Sequence, residues 1–204
     1  MKRSRPSVIS ARRPAVALLA LTAAAACRTK PPAQARASIE LPAPVAHARR
    51  ESAFDVQRYS LDLELDPAER RIRGTCRILL WPRSGTLATV ELDLDDLAVA
   101  SVRDEQGRSL PFERQPGALR IPLAEPLRPG TCTELGVEYG GTPRKGLYFG
   151  AERDGVPTQV FTQGECEDAR GWFPCFDDPA DRATSELRVT MPAAWRAVAA
   201  GERI

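Results

Sequence analysis

From Phe54 onward, hydrophobic positions recur at every second residue. Tyr59, Leu61, Leu63 and Leu65 alternate with Ser60, Asp62, Glu64 and Asp66, the pattern of a strand with one dry and one wet face. Residues 67–70 read as a turn. The next strand places Ile72, Gly74, Cys76, Ile78 and Leu80 on one face and Arg71, Arg73, Thr75 and Arg77 on the other. Further strands are expected around Val90-Leu92-Leu94, residues 99–103, Leu119-Ile121-Leu123, Leu135-Val137-Tyr139 and residues 184–191 (TSELRVTM), punctuated by Gly85, Gly107, Pro116-Gly117, Pro129-Gly130 and Gly140-Gly141. Short strands at this spacing, without a long amphipathic helix, predict an all-β fold built as an antiparallel β-sandwich or saddle. No G-x-G-x-x-G, Walker loop or G-x-S-x-G elbow occurs, which excludes dinucleotide folds and their relatives.

The first fifty residues follow a different pattern. Lys2, Arg3, Arg5, Arg12 and Arg13 precede an uncharged apolar run over residues 14–26 (PAVALLALTAAAA). Such a run has the length of a signal-peptide core and falls short of the about 20 residues a permanent span needs. Its small residues lead directly into Cys27, which resembles a bacterial lipoprotein signal, with Ala24 where that pattern usually has Leu. Residues 1–26 are therefore expected to be a signal peptide and Cys27 the lipidated residue, giving an exported protein lipid-anchored in the cell envelope. Residues 28–50 (RTKPPAQARASIELPAPVAHARR) keep no apolar period and carry Pro31, Pro32, Pro42 and Pro44. They read as a Pro/Ala-rich tether reaching about 70 Å, at about 3.1 Å per residue. The folded domain is expected over residues 51–204.

Charge and cysteines narrow the picture further. The net charge of +2 is partly contributed by the signal and tether, and no basic stripe remains to bind nucleic acid. Cys76, Cys132, Cys166 and Cys175 allow three disulfide pairings. No C-x-x-C spacing occurs, and the sole histidine, His47, lies in the tether.

One stretch breaks the strand pattern: residues 162–179, TQGECEDARGWFPCFDDP. Five carboxylates (Glu165, Glu167, Asp168, Asp177, Asp178) crowd around Trp172, Phe173 and Phe176. Gln163 and Glu165 stand two apart, so an extended backbone projects both to one side. Asp177 or Asp178 before Pro179-Ala180 fits a helix N-cap, with Arg182 available for a local ion pair. Arg170 and Trp172 fit a bracing role, Cys175 a buried thiol, and Cys166 either a bystander or a disulfide partner.

T-Q-G-E followed by D-A-R-x-W-F-P-C-F-D-x-P-A-D resembles the N-terminal domain of the aminopeptidase N family of zinc metallopeptidases, the gluzincins. Weaker likenesses lie at residues 59–67 (YSLDLELDP), 74–79 (GTCRIL) and 139–141 (YGG). The resemblance implies the saddle-shaped β-domain of that family. It also implies that Gln163 lines the pocket for the first substrate side chain and that Glu165 helps bind the substrate's free α-amino group. Catalysis in the family needs zinc held by H-E-x-x-H and a distant Glu, a Tyr for the oxyanion and a G-x-M-x-N segment. None of these motifs is in this sequence, so the chain is expected to bind no zinc and to be inactive alone.

The closing residues, WRAVAAGERI, begin what reads as another strand, and the expected sandwich is truncated there. Three readings follow. The chain is the front of a membrane-anchored zinc aminopeptidase that trims peptide N-termini, or half of a split enzyme whose catalytic zinc domain docks in trans, or a non-catalytic lipid-anchored binding protein.

Overall fold

A computed structural model describes residues 50–202 of the chain. Cys27, His47, the expected signal peptide and all of the expected tether but Arg50 lie outside the described residues. Among the described residues ten strands run in order: β1 (Phe54–Asp66), β2 (Arg71–Pro82), β3 (Leu87–Asp93), β4 (Ala98–Arg103), β5 (Glu113–Gln115), β6 (Ala118–Leu127), β7 (Thr133–Gly141), β8 (Leu147–Arg153), β9 (Val156–Thr162) and β10 (Thr184–Thr190). Among the described residues the one helical element is a single 3-10 turn, Ala169–Gly171.

Five strands form a sheet in the order β10-β1-β2-β7-β4, three form a second in the order β3-β6-β5, and β8-β9 stand as a hairpin. The alternation seen in the sequence sets the faces. Ile72, Cys76, Ile78 and Leu80 of β2, Leu135, Val137 and Tyr139 of β7, and Leu61 and Leu63 of β1 are buried. They belong to one core with Val90 and Leu92 of β3 and Leu119 and Ile121 of β6. Burying these side chains, at about 1.5–3 kcal/mol for a fully buried Val, Leu, Ile or Phe, is the main force holding the domain together.

Three features depart from the sequence expectation. Every strand pair is antiparallel except one: β10 runs alongside β1 in parallel, Tyr59 opposite Ser185 and Leu63 opposite Val189. Parallel neighbours need a crossover, and residues 163–183, the carboxylate-rich stretch among them, form the final part of it. The β8-β9 hairpin was not anticipated. Its turn is Asp154-Gly155, with φ of 54° and 79°, the positive angles that a two-residue type I′ hairpin requires. No helix follows Asp177 or Asp178. Instead the Asp178 carboxylate accepts the Ala180 N–H at 2.8 Å in a tight turn, while Asp181, rather than a partner of Arg182, pairs with Arg83 at 2.7 Å.

The four cysteines of the domain are free thiols: Cys76 and Cys175 are buried, Cys132 and Cys166 exposed. None of the three conceivable pairings is formed.

Candidate functional site

β9 does not stop cleanly at Thr162. The Gln163 N–H donates to the Gly146 carbonyl at 2.9 Å, extending the hairpin ladder by one residue before the chain turns. The turn closes with the Asp168 N–H on the Gly164 carbonyl, and the Glu165–Cys166 peptide is cis. The 3-10 turn follows, and residues 172–177 then run back along the core.

Two glycines let these segments meet. A Cβ on Gly146, whose φ is +76°, would overlap the Asp168 carbonyl oxygen, and one on Gly171 would overlap the Lys145 carbonyl. Only glycine fits such close backbone approach, and only glycine takes the positive φ without strain.

The aromatic residues are the plug. Phe173 packs edge-on against Tyr59 at 5.5 Å between ring centres and against Trp172 at 4.6 Å, while Phe176 meets Phe54 at 5.6 Å. The Phe176 N–H donates to the Tyr59 hydroxyl at 3.0 Å. Cys175 exchanges backbone hydrogen bonds with Asp93 of β3, N–H to carbonyl at 3.1 Å and carbonyl from N–H at 2.6 Å. The Cys76 thiol donates to the Pro174 carbonyl at 3.7 Å. Burial drives the Cys76 and Cys175 thiols well above the ordinary range, so both stay protonated and inert.

Charges fasten the rest. Asp93 is buried, accepts hydrogen bonds from two donors and forms one longer ion pair. The Asp177 N–H lies at 2.9 Å, Arg50 Nη1 at 2.5 Å from one oxygen and 2.6 Å from the other, and Arg170 Nη1 at 3.6 Å. Arg50 also lies over the Phe176 ring, 4.6 Å from its centre, so this last residue of the expected tether belongs to the packed domain. Arg170 reaches Asp177 at 3.1 Å and Glu167 at 3.1 Å. Partial burial works against its positive charge, but Asp177, Asp93 and Glu167 outweigh it and hold the guanidinium above its usual pKa. Lys145 bridges Asp95 at 3.1 Å and Asp168 at 3.3 Å. Burial again opposes its charge and the two carboxylates prevail, raising the ammonium's pKa.

Four of the five crowded carboxylates are thus accounted for: Glu167 and Asp177 hold Arg170, Asp168 holds Lys145, and Asp178 closes a turn. Glu165 has no hydrogen bond or ion pair among the described residues, and both it and Gln163 are exposed. Arg170 and Trp172 do brace the segment, as their types implied. Asp93 was missed, because in an alternating strand beside Leu92 and Leu94 it reads as a wet-face residue; only the segment folded over it makes it buried. Among the described residues no group of three His, Cys, Asp or Glu side chains is placed to hold a metal ion.

Comparison with known proteins adds relatives to this geometry. Residues 56–204 match the family model of the peptidase M1 N-terminal domain. Leucine aminopeptidase 2-1 of Meyerozyma guilliermondii is 32% identical over 147 residues, covering 68% of this chain and 24% of its own. Aminopeptidase B of Mus musculus is 27% identical over 184 residues, covering 76% of this chain and 28% of its own. The crystal structure of the M1 zinc metallopeptidase from Deinococcus radiodurans superposes with a TM-score of 0.59 at 28% identity, over 67% of this chain and 32% of that one. A variant of the same enzyme bound to a Tyr-Ser-Ala substrate gives 0.57 at the same identity. The chain therefore spans about a quarter of the length of these curated relatives and about a third of the solved enzyme.

Proposed function

The chain belongs to the peptidase M1 N-terminal domain family, and from that premise we propose that it is the part of a zinc aminopeptidase that holds the N-terminus of a peptide. The observation that carries this reading is the free carboxylate of Glu165 on a segment whose other acids are all engaged. Gln163, at the end of the β9 ladder just before the turn that carries Glu165, has no hydrogen-bond partner for its amide among the described residues.

The chemistry suits an α-ammonium. That group has a pKa of about 8 and is largely charged at neutral pH, and a carboxylate receives it by charge-assisted hydrogen bonds. A blocked N-terminus or an internal peptide bond brings no charge. It would leave the Glu165 carboxylate without that charge-assisted partner. A rigid mounting matters for such selection, and the Asp93-Arg170-Asp177 cluster, Lys145 and the aromatic plug supply it from below.

Zinc would belong to the rest of such an enzyme, where it activates the attacking water. The donor set described here does not fit it: no H-E-x-x-H is in the sequence and no metal-ligating cluster lies among the described residues. The chain's own task is binding and orientation, with the catalytic domain as its partner in cis or trans. The proposal extends to an exported, lipid-anchored location, supported by the basic start, the apolar run and Cys27 in the sequence.

Titrating the isotope-labelled chain with leucinamide and with N-acetylleucinamide, followed by NMR, tests the anchor. Leucinamide is expected to shift amides of residues 162–168 saturably, the acetylated compound to do so at least tenfold more weakly, and Glu165→Gln to abolish the difference without moving the unfolding midpoint. Equal binding of both compounds by the unaltered chain would rule the anchor out.

A further inference from the structure

The β1-β2 ribbon outruns the sheet it belongs to. β2 pairs with β7 only as far as Leu80 opposite Thr133, and β10 joins β1 only from Arg58 onward. Beyond those points the two strands continue alone as a tip, with Asp55 opposite Trp81. Phe54 and Val56 turn inward and are buried, while Trp81 stands on the other face, 41% exposed. A register shift between Val56 and Arg58 interrupts the ladder here. Such a bulge adds one residue to a strand and re-aims its side chain. The added residue is Gln57, exposed beside Trp81.

The polar side chains around the indole are tied to one another. The Gln57 side-chain N–H donates to the Asp55 carboxylate, and the Thr184 hydroxyl donates to the Gln57 backbone carbonyl at 3.0 Å. Arg83 Nη2 lies 2.7 Å from Asp55 and 2.7 Å from Asp181, while its Nε donates to the Phe54 carbonyl at 2.9 Å. Asp55, Gln57, Trp81, Pro82 and Arg83 line one open depression of about 560 Å³. Arg83 also lines a second hollow of about 380 Å³, with Ser52, Ser84 and Asp178 in its wall.

We propose that this tip is a binding site for a neutral oligosaccharide chain. A pyranose ring with equatorial substituents has an apolar C–H face and a rim of hydroxyls. The exposed indole suits the face, being an apolar plate with a polar N–H at its edge. The rim meets groups that both accept and donate. The Asp55 carboxylate and the Gln57 side-chain oxygen accept; Arg83 Nη1 and the Trp81 N–H, which have no partner among the described residues, donate. Charge decides against ionic partners, because Arg83 is neutralised by Asp55 and by Asp181, whose side chain is 3% exposed. The mutual bonds hold the polar groups in place before a ligand arrives, which lowers the ordering cost of binding. The second hollow gives room for a further ring, so a chain outbinds a single sugar.

The test is an NMR titration of the isotope-labelled full chain with cellotetraose, chitotetraose, glucose and N-acetylleucinamide, read at the Trp81 indole N–H and the amides of residues 54–58 and 81–84. Both tetrasaccharides are expected to shift these signals saturably and to bind about tenfold more tightly than glucose. Trp81→Ala should weaken them by about tenfold or more, and Gln57→Ala by about threefold. Trp81→Phe, which keeps an aromatic face and guards against misfolding of the tip, should retain an intermediate affinity. Glu165→Gln should leave both affinities unchanged, which separates this site from the amine anchor. Tighter binding of chitotetraose would identify an amino-sugar polymer as the source, and equal binding a chain recognised by its ring face alone. The site is overturned if neither tetrasaccharide binds saturably or if Trp81→Ala leaves their affinity unchanged. It is overturned equally if N-acetylleucinamide shifts the same signals as strongly, which would make the tip an apolar protein contact.

Discussion

Two sets of ion pairs sit on opposite sides of this domain and do different things. The outer face of the five-stranded sheet carries a lattice of exposed pairs: Arg77 with Asp62 at 3.1 Å, Arg188 with the same Asp62 at 3.6 Å, Arg73 with Glu64 at 2.8 Å and Arg58 with Glu134 at 3.4 Å. Beneath the turned segment, Asp93 gathers Arg50, Arg170 and the Asp177 amide, with only 6% of its side chain exposed. The exposed pairs keep one side of a sheet wet and contribute little each, since water competes for every partner. Asp93 has lost that alternative, although Arg50 and Arg170 keep 37% and 20% of their side chains exposed, so the buried carboxylate holds its donors in one arrangement, and that arrangement fixes where residues 170–177 lie.

The contrast is sharpest when each set loses one member. Asp93→Ala leaves Arg50 and Arg170 facing a buried gap and frees the Asp177 amide. Removing one partner of a fully buried pair costs about 3–5 kcal/mol; with Arg50 and Arg170 37% and 20% exposed, water offsets part of that, and urea unfolding should show a loss of about 1.5–3 kcal/mol. A loss below about 1 kcal/mol would mean that the cluster is as solvated as the outer face.

Alkaline titration probes the same buried region by a second route. The Cys76 and Cys175 thiols have folded pKa values raised by burial from an ordinary 9.0. The folded state therefore keeps protons that the unfolded state releases. Their stabilising effect is fully present below pH 9 and declines as pH rises beyond it toward the folded values. At one unit above the unfolded pKa each thiol costs about 1.4 kcal/mol. Unfolding midpoints in reducing buffer should fall between pH 8 and pH 10, and Cys76→Ala should flatten that fall while lowering the midpoint at pH 7. A pH-independent midpoint would place the thiols in contact with water.

On the outer face, Arg77→Ala should change stability by about 0–1 kcal/mol, with that small effect fading in high salt. A larger loss would erase the distinction between the two regions.

Much of the fold was legible because one physical rule dominates it. Where a strand has one dry face, the period of two names the core residues, and Ile72, Cys76, Ile78 and Leu80 are all buried as that rule requires. The rule fails where a third element covers the second face. Asp93 looks wet in its strand and is buried by residues 174–177, and Ser60 is buried between Arg77 of β2 and Glu186 of β10. The β8-β9 hairpin carried a readable signal in Asp154-Gly155, whose positive φ angles suit a two-residue turn. The parallel pairing of β10 had none, since strand direction depends on the path of residues 163–183 rather than on local pattern. In the site, the spacing of Gln163 and Glu165 was visible from the start, whereas the reason Glu165 is free lies in which basic residues the fold brings to its four neighbours.

The parallel edge also has a kinetic meaning. Thr184 reaches back to the Gln57 carbonyl across 127 positions, and the Phe176 amide to Tyr59 across 117. Contacts of such long sequence separation are closed late and slowly, since the chain between them must be ordered before they yield any stabilisation. During synthesis, β1 emerges long before either partner exists. The segment bearing Gln163 and Glu165 is therefore among the last parts of the domain to be seated, and the anchor is assembled only once the sheets beneath it are in place.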